Sequence, residues 1–231
     1  MSQQQTQQHD AQSEHIGIMG GTFDPIHNAH LAVAEEVRVA LNLSSILFIP
    51  TGQPPHKRNQ QTTPASRRLA MVECAIATNP YFTCSRIEID RDGPSYTVDT
   101  LHRLREQYGS KAHFYFIIGW DSLLDLHGWY NPQGILAELT ALVAVGRPGY
   151  PSSANSPQRQ TAAGKLDNAG YNTMLEERLP GITQRLRLVQ APLLDISSTD
   201  LRQRVAQGQP IRYQTPDAVV DYIREHHLYI S

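Results

Sequence analysis

The sequence predicts an α/β protein: a doubly wound parallel sheet with helices on both faces. Two observations carry this expectation. Short, continuously apolar runs such as FYFII at 114–118 and LVAV at 142–145 suit parallel strands buried on both faces. They alternate with longer segments whose apolar residues recur at helical spacing, the order that a doubly wound sheet requires. With 231 residues, 40% of them hydrophobic, the chain can bury one substantial core.

In chain order, strands are expected at Ile16–Met19, Ser45–Pro50, Phe82–Ile89, His113–Ile118, Ala141–Val145 and Leu186–Val189. Helices are expected at Leu31–Leu41, at Pro64–Thr78 with Leu69, Val72 and Ile76 on one face, and at Thr97–Tyr108 with Leu101 and Leu104. Residues 148–170, rich in Pro, Ser, Ala, Gly and Gln, read as a long surface loop. Residues 1–14 read as a Gln-rich disordered tail, which leaves 15–231 as a single domain carrying that loop.

Twenty basic against twenty-two acidic side chains give a formal net charge of -2. No global field therefore draws the chain to nucleic acid or to an anionic membrane, and any polyanion must meet a local site. No apolar run approaches the length that spans a bilayer, and the opening MSQQQTQQHDAQSEH lacks the basic end and apolar stretch of a signal peptide. Cys74 and Cys84 show no metal-site or disulfide spacing, which fits a reducing cytoplasm.

Between the first strand and the first helix stands GGTFDPIHNAH, residues 20–30. Gly20 and Gly21 let backbone approach a bound group, Asp24-Pro25 forces a turn, and a helix starts near His27 or Asn28. In such a sheet ligands collect beyond the carboxyl ends of the strands, so the helix's free N–H groups and positive dipole end face a pocket. That is an anion site, and His27 and His30, one turn apart, add donors to phosphate oxygens. A packed loop and a two-histidine metal site are the alternatives. The pair lacks a third ligand nearby for zinc, so no protein-held metal is expected. The stretch also lacks the third glycine of GxGxxG and the Gly-Lys-Ser/Thr of the nucleoside-triphosphate loop.

Near the other end, ISSTDLRQRV at 196–205 makes a second helix N-terminus, with Ser197, Ser198 or Thr199 as cap. Arg202 falls in its first turn. A cation there opposes the helix dipole, which makes sense when an anion lies between them; ordinary capping beside a solvated arginine is the alternative. Two such termini facing one crevice suit the two ends of a triphosphate.

These residues carry a resemblance. GGTFDPIHNAH resembles the GxFDPxHxGH signature, and ISSTDLR the ISSTxxR signature, of nucleotidyltransferases that share a Rossmann-like core and move an adenylyl or cytidylyl group. Within that superfamily the chain is similar to the bacterial nicotinate-nucleotide adenylyltransferases, through PPHK at 54–57, PSYTVDTL at 94–101 and IIGWDSLLDLHGWY at 117–130. It departs from them at Ala29, where the family usually has glycine, and at Trp120, where a small or polar residue is common.

The resemblance implies transfer of an adenylyl group from ATP to nicotinic acid mononucleotide in NAD biosynthesis, with Mg2+ carried by the ATP phosphates. It implies that His27 and His30 act on the triphosphate, that Gly20, Gly21 and Phe23 line the nucleotide crevice, and that Ser197, Thr199 and Arg202 hold the distal phosphates. Lys57 would reach over the reacting phosphates, Arg147 would meet the nucleotide, and Asp121 has the placement of a ribose-hydroxyl acceptor. Trp129 and Tyr130, in a segment broken by Gly128 and Asn131-Pro132, would frame the pyridine ring. Ser95-Tyr96-Thr97 opens a helix whose donors suit a carboxylate or phosphate.

A neighbouring enzyme of the same fold, pantetheine-phosphate adenylyltransferase, would carry the two outer signatures, but it is shorter and lacks the SYTVDTL and DLHGWY segments. A nucleotide-binding regulator without catalysis is the reading from another class, and the presence of both histidines and Arg202 weighs against it. No nucleic-acid or membrane partner is expected, and the sequence is compatible with a homo-oligomer.

Overall fold

The computed structural model describes residues 14–54, 62–146, 168–192 and 194–230. Among them, strands β1 (His15–Gly21), β2 (Ser45–Pro50), β3 (Phe82–Cys84), β4 (His113–Gly119), β5 (Ala141–Gly146) and β6 (Leu186–Gln190) form one sheet in the order β3-β2-β1-β4-β5-β6. Every neighbouring pair is parallel. The winding reverses between β1 and β4, and the carboxyl ends of those two strands bound the crevice where such sheets take their ligands.

Side-chain alternation along the strands divides the core in two. Ile16, Ile18, Leu47 and Phe116 point to a layer made with α3 (Thr97–Tyr108), α4 (Trp120–Asp125), α5 (Pro132–Glu138), α6 (Asn168–Arg178) and α7 (Ile182–Arg185), through Leu101, Leu123, Ile135, Leu175 and Ile182. Met19, Phe48, Ile117 and Val143 point to the other face. There they meet α1 (Asn28–Ala40), α2 (Ala65–Ile76), α8 (Ser198–Ala206) and α9 (Asp217–Glu225) through Val37, Met71, Leu201 and Val219. Burial on both faces is what continuous apolar strands predict, and the expected fold class holds.

The third strand is shorter than expected. Its partner is β2, which ends at Pro50, a residue with no N–H to offer the ladder. Beyond Cys84 the chain turns instead: Ile89 and Asp90 both donate their N–H to the Arg86 carbonyl, at 2.8 and 2.9 Å. This turn buries Glu88. Gly52, just past β2, lies against it so closely that a Cβ there would collide with the Glu88 carbonyl oxygen. Only glycine lets the two loops meet.

At the amino end, the Glu14 carbonyl accepts from the His113 N–H at 2.7 Å, so Glu14 belongs with the sheet; the rest of the expected tail lies outside the described residues. Of the expected 148–170 loop, residues 168–170 are the first turn of α6, and the remainder also lies outside the described residues. No helix among the described residues is long and apolar enough to cross a membrane.

Candidate active site

The loop after β1 places the two histidines at the start of α1. His27 is the N-cap residue, and its backbone N–H donates to His30 Nδ1 at 3.2 Å, half of a capping box. With Nδ1 occupied as an acceptor, neutral His30 carries its proton on Nε2, free to donate. The rings stack, centroids 3.7 Å apart and planes 21° apart. His27 is 6% exposed, and its Nδ1 has no partner among the described residues. The helix terminus itself is less open than its sequence implies. Asn28 N–H is taken by the Gln214 carbonyl at 2.9 Å and His30 N–H by the His27 carbonyl at 2.9 Å, which leaves Ala29 N–H unpaired among the described residues.

The second helix terminus is fastened to the first. Ser198 Oγ donates to the Pro25 carbonyl at 2.8 Å, and Arg202 Nη1 donates to the Asp24 carbonyl at 2.8 Å. Ser197 is the cap of α8: its Oγ accepts from Asp200 N–H at 3.1 Å. Thr199 Oγ1 lies 3.4 Å from Arg202 Nη2. The α8 start thus stands beside the histidines as expected; of the three candidate caps Ser197 takes that role, and Ser198 instead makes the join.

Two cavities open over the switch point. The larger, about 440 Å³, is lined by Gly20, Ala29, His30, Asp121 and Gly146, with Leu194 and Ile196 also on its wall. The smaller, about 240 Å³, is lined by Gly20, Gly21, Glu88, Ser95, Thr97 and Tyr130. Tyr96, Phe116 and Trp129 also border the smaller, and Gly20, Phe116 and Trp129 border both. Gly20 is therefore the low point of the partition.

The expected site residues distribute unevenly over this geometry. Gly21 faces the smaller cavity and not the larger. Phe23 lines neither: at φ 48 the chain turns its ring inward, where it packs edge-on beneath His30 at 5.1 Å. Ser95 borders the smaller cavity but spends its Oγ on Gln53 N–H at 3.2 Å, tying the β2 loop to the start of α3. Tyr130, 61% exposed, meets Tyr96 at a tilt, centroids 4.5 Å apart, and Trp129 meets Phe116 edge-on at 6.3 Å. Trp120 finds its place against Tyr171 of α6, edge-on at 5.3 Å, which accounts for a bulky side chain at that position. Lys57 and Arg147 lie outside the described residues.

Glu88 was missed. It borders the smaller cavity and accepts from Thr100 Oγ1 at 2.8 Å, and burial raises its carboxyl pKa against the pull of that bond. The signal available in the sequence was a lone glutamate in RIEID, which strand alternation alone places on either face.

The histidine pair sets an acid limit. Burial pushes His27 down to about 4, and burial with the neighbouring His27 pushes His30 down to about 3, so both are neutral at pH 7 in the free protein. Unfolded, each would protonate near 6.5. Below that pH the unfolded chain binds protons that the folded chain refuses. Stability held by the neutral pair is whole above about 6.5 and declines as pH falls toward 4. The thermal midpoint should fall less steeply on acidification in a His27→Asn/His30→Asn variant than in the wild type. Parallel curves would mean that the rings are not buried as neutral groups.

The sheet order, the paired helix termini and the split crevice are those of a nucleotide-binding transferase, and a cytidylyltransferase-like family model matches residues 18–204. The chain is 51% identical over 214 residues to the "Probable nicotinate-nucleotide adenylyltransferase" of Roseiflexus sp. (strain RS-1), an alignment spanning 93% of this chain and 97% of that one. It is 44% identical to the protein of the same description in Thermomicrobium roseum, across 93% and 91% of the two chains. The chain belongs to the nicotinate-nucleotide adenylyltransferase family. Its fold matches that of Plasmodium falciparum nicotinic acid mononucleotide adenylyltransferase complexed with NaAD, with a TM-score of 0.70 at 21% identity over 94% of this chain and 97% of that one.

Proposed function

We propose that the two cavities receive the two substrates of the family's reaction, ATP in the larger and nicotinic acid mononucleotide in the smaller, with their phosphates meeting over Gly20. The chain transfers the adenylyl group: a phosphate oxygen of the mononucleotide bonds to the α-phosphorus of ATP, the bond from that phosphorus to the bridging oxygen breaks, and pyrophosphate leaves. The attacking phosphate is already anionic near pH 7, so no enzyme base is needed, and catalysis is positioning plus charge neutralisation. His27, His30, Arg202 and the unpaired Ala29 N–H supply donors to the phosphate end, with Ser197 and Thr199 beside them. Asp121, on the wall of the larger cavity, suits a ribose hydroxyl. We assign Lys57 and Arg147 to the ATP phosphates from the family resemblance. The donors are N–H groups with hydroxyls beside them, suited to phosphate oxygens and not to a cation, and Mg2+ enters as part of the substrate, on ATP. We place the reaction in the cytoplasm, in NAD biosynthesis; both cysteines are free thiols.

The observation that carries the reading is Gly20, which borders both cavities and puts no side chain of its own between them. A Cβ there would have Phe116 Cε2 at 3.8 Å as its nearest neighbour, ordinary contact distance. Gly20→Ala should therefore leave the thermal midpoint within about 2 °C yet lower kcat/KM by about tenfold or more, because the methyl group would intrude only on substrate. Unchanged kcat/KM would move the reaction centre elsewhere. The activity itself is tested by pyrophosphate release and formation of nicotinic acid adenine dinucleotide on mixing with ATP and nicotinic acid mononucleotide. Turnover of pantetheine phosphate instead would overturn the assignment.

A further inference from the structure

The loop that carries the histidines is braced by a residue beyond α9. Asp24, buried in the loop after β1, accepts at three oxygens: Oδ1 from the Tyr229 hydroxyl at 2.7 Å, Oδ2 from Thr63 N–H at 3.1 Å, and its carbonyl from Arg202 Nη1 at 2.8 Å. Thr63 is gripped from its other side by Arg68, whose Nε donates to the Thr63 carbonyl at 2.9 Å. Arg68, 1% exposed, spends its remaining donors on the Thr22 carbonyl at 2.7 Å and the Thr51 carbonyl at 2.6 Å. Thr22 and Thr51 border the smaller cavity. A single polar network therefore runs from Arg202 through Asp24 to the loops that follow β1 and β2.

Tyr229 is the outermost member of that network and comes from the far end of the chain, beyond α9. The chain closes there by Leu228 N–H donating to the Ile223 carbonyl at 3.0 Å, and Tyr229 takes φ 64, a left-handed conformation uncommon for a residue with a side chain. That backbone turn aims the ring at Asp24. Burial, followed by the charge of Asp24, raises the phenol pKa, so the hydroxyl stays a donor.

We infer that Tyr229 is a positioning residue for adenylyl transfer: its hydroxyl, donated to Asp24 Oδ1, fixes the backbone on which Arg202 is seated and from which the histidine pair is carried. The inference rests on the reading that Arg202 and the histidines meet the phosphates. The Tyr229 hydroxyl hydrogen is spent on Asp24 Oδ1, so the residue acts through Asp24 and not on the phosphates directly. Its loss would leave Asp24 one donor short and let the loop shift by a fraction of an ångström, an error that phosphoryl transfer registers and pyridine binding does not.

The test is Tyr229→Phe, which keeps the ring and removes the donor, measured per active site by burst or tight-ligand titration so that any unfolded fraction is excluded. We expect kcat to fall about tenfold, with KM for nicotinic acid mononucleotide within about twofold of wild type. Tyr229→Phe combined with Arg202→Lys should lose less kcat than the product of the two single losses, because both act through Asp24. Asp24→Asn, which keeps an acceptor for Tyr229 but turns an NH2 toward Thr63 N–H, should repeat the kcat loss by a second route. Wild-type kcat in Tyr229→Phe, or strict multiplicativity with Arg202→Lys, would overturn the inference. Wild-type kcat in Arg202→Lys alone would instead overturn the placement of Arg202 at the phosphates, and the inference with it.

Discussion

Replacing His27 or His30 with alanine is expected to lower kcat about 10²-fold or more while KM for ATP changes much less. Two neutral rings stacked at 3.7 Å, with His30 on the wall of the larger cavity and its Nε2–H free to donate, are held in place before the substrate arrives. Such groups act most on charge that grows during the reaction, on the bridging oxygen and the departing pyrophosphate, and less on ground-state binding. Either alanine variant also removes one half of the stack, and His30→Ala strands the His27 N–H, so thermal midpoints must be measured alongside. Steady-state kinetics with ATP varied at saturating mononucleotide checks the claim, and unchanged turnover in both variants would remove the histidines from the mechanism. Because the nucleophile is a phosphate, the rate should show no steep rise between about pH 7 and 9.

The second large effect concerns the pyridine substituent. The enzyme should prefer nicotinic acid mononucleotide over its amide by at least about 10²-fold in kcat/KM. At the smaller cavity the N–H groups of Thr97 and Tyr130 have no partner among the described residues, and Thr97 is the first residue of α3, at its positive end. A carboxylate offers only acceptors to such donors, whereas a carboxamide must turn its NH2 toward one of them and leave an N–H unpaired. Buried Glu88, on the same cavity wall, shows how far hydroxyl donors in this region are already committed, since Thr100 Oγ1 is spent on it. On the proposed placement, with its indole framing the ring and not the substituent, Trp129→Ala should weaken both substrates while changing their ratio less. Competition between the two mononucleotides, read as product ratio, decides the matter; equal use would refute this account of the pocket and leave the transfer chemistry intact.

What the sequence reveals and what it hides follow from how far each feature is local. Buried parallel strands write themselves as apolar runs, so β1, β2, β4, β5 and β6 stand within a residue or two of their expected bounds. The helix starts that hold the site are equally local: His27 caps α1 and Ser197 caps α8. The short helices were obscured by ambiguous punctuation. Asn131-Pro132 reads as a break, yet Asn131 Oδ1 caps α5 by accepting from Gly134 N–H at 3.0 Å, and Pro132 is the first residue of that helix. Non-local features stayed hidden. Nothing around Arg68 in SRRLAMV says that its guanidinium will be met by carbonyls from three separate loop positions, and nothing in TFDP says that Phe23 will adopt φ 48 and turn away from the crevice. The sign of a site is written next to the strand; its bracing is written everywhere else.

The partition at Gly20 has a consequence for the end of the catalytic cycle. On the proposed assignment each substrate enters one compartment, and the dinucleotide product would be a tether reaching into both, adenosine on one side and pyridine on the other, across the Gly20 that the two cavities share. Once one half is seated, the other is presented to its compartment at a high effective concentration, so the two weak affinities combine into a strong one without any new contact. Release then requires both halves to let go within the same interval. An enzyme built this way would hold its product more firmly than either substrate, and the expected result is a burst of dinucleotide in the first turnover followed by slower release.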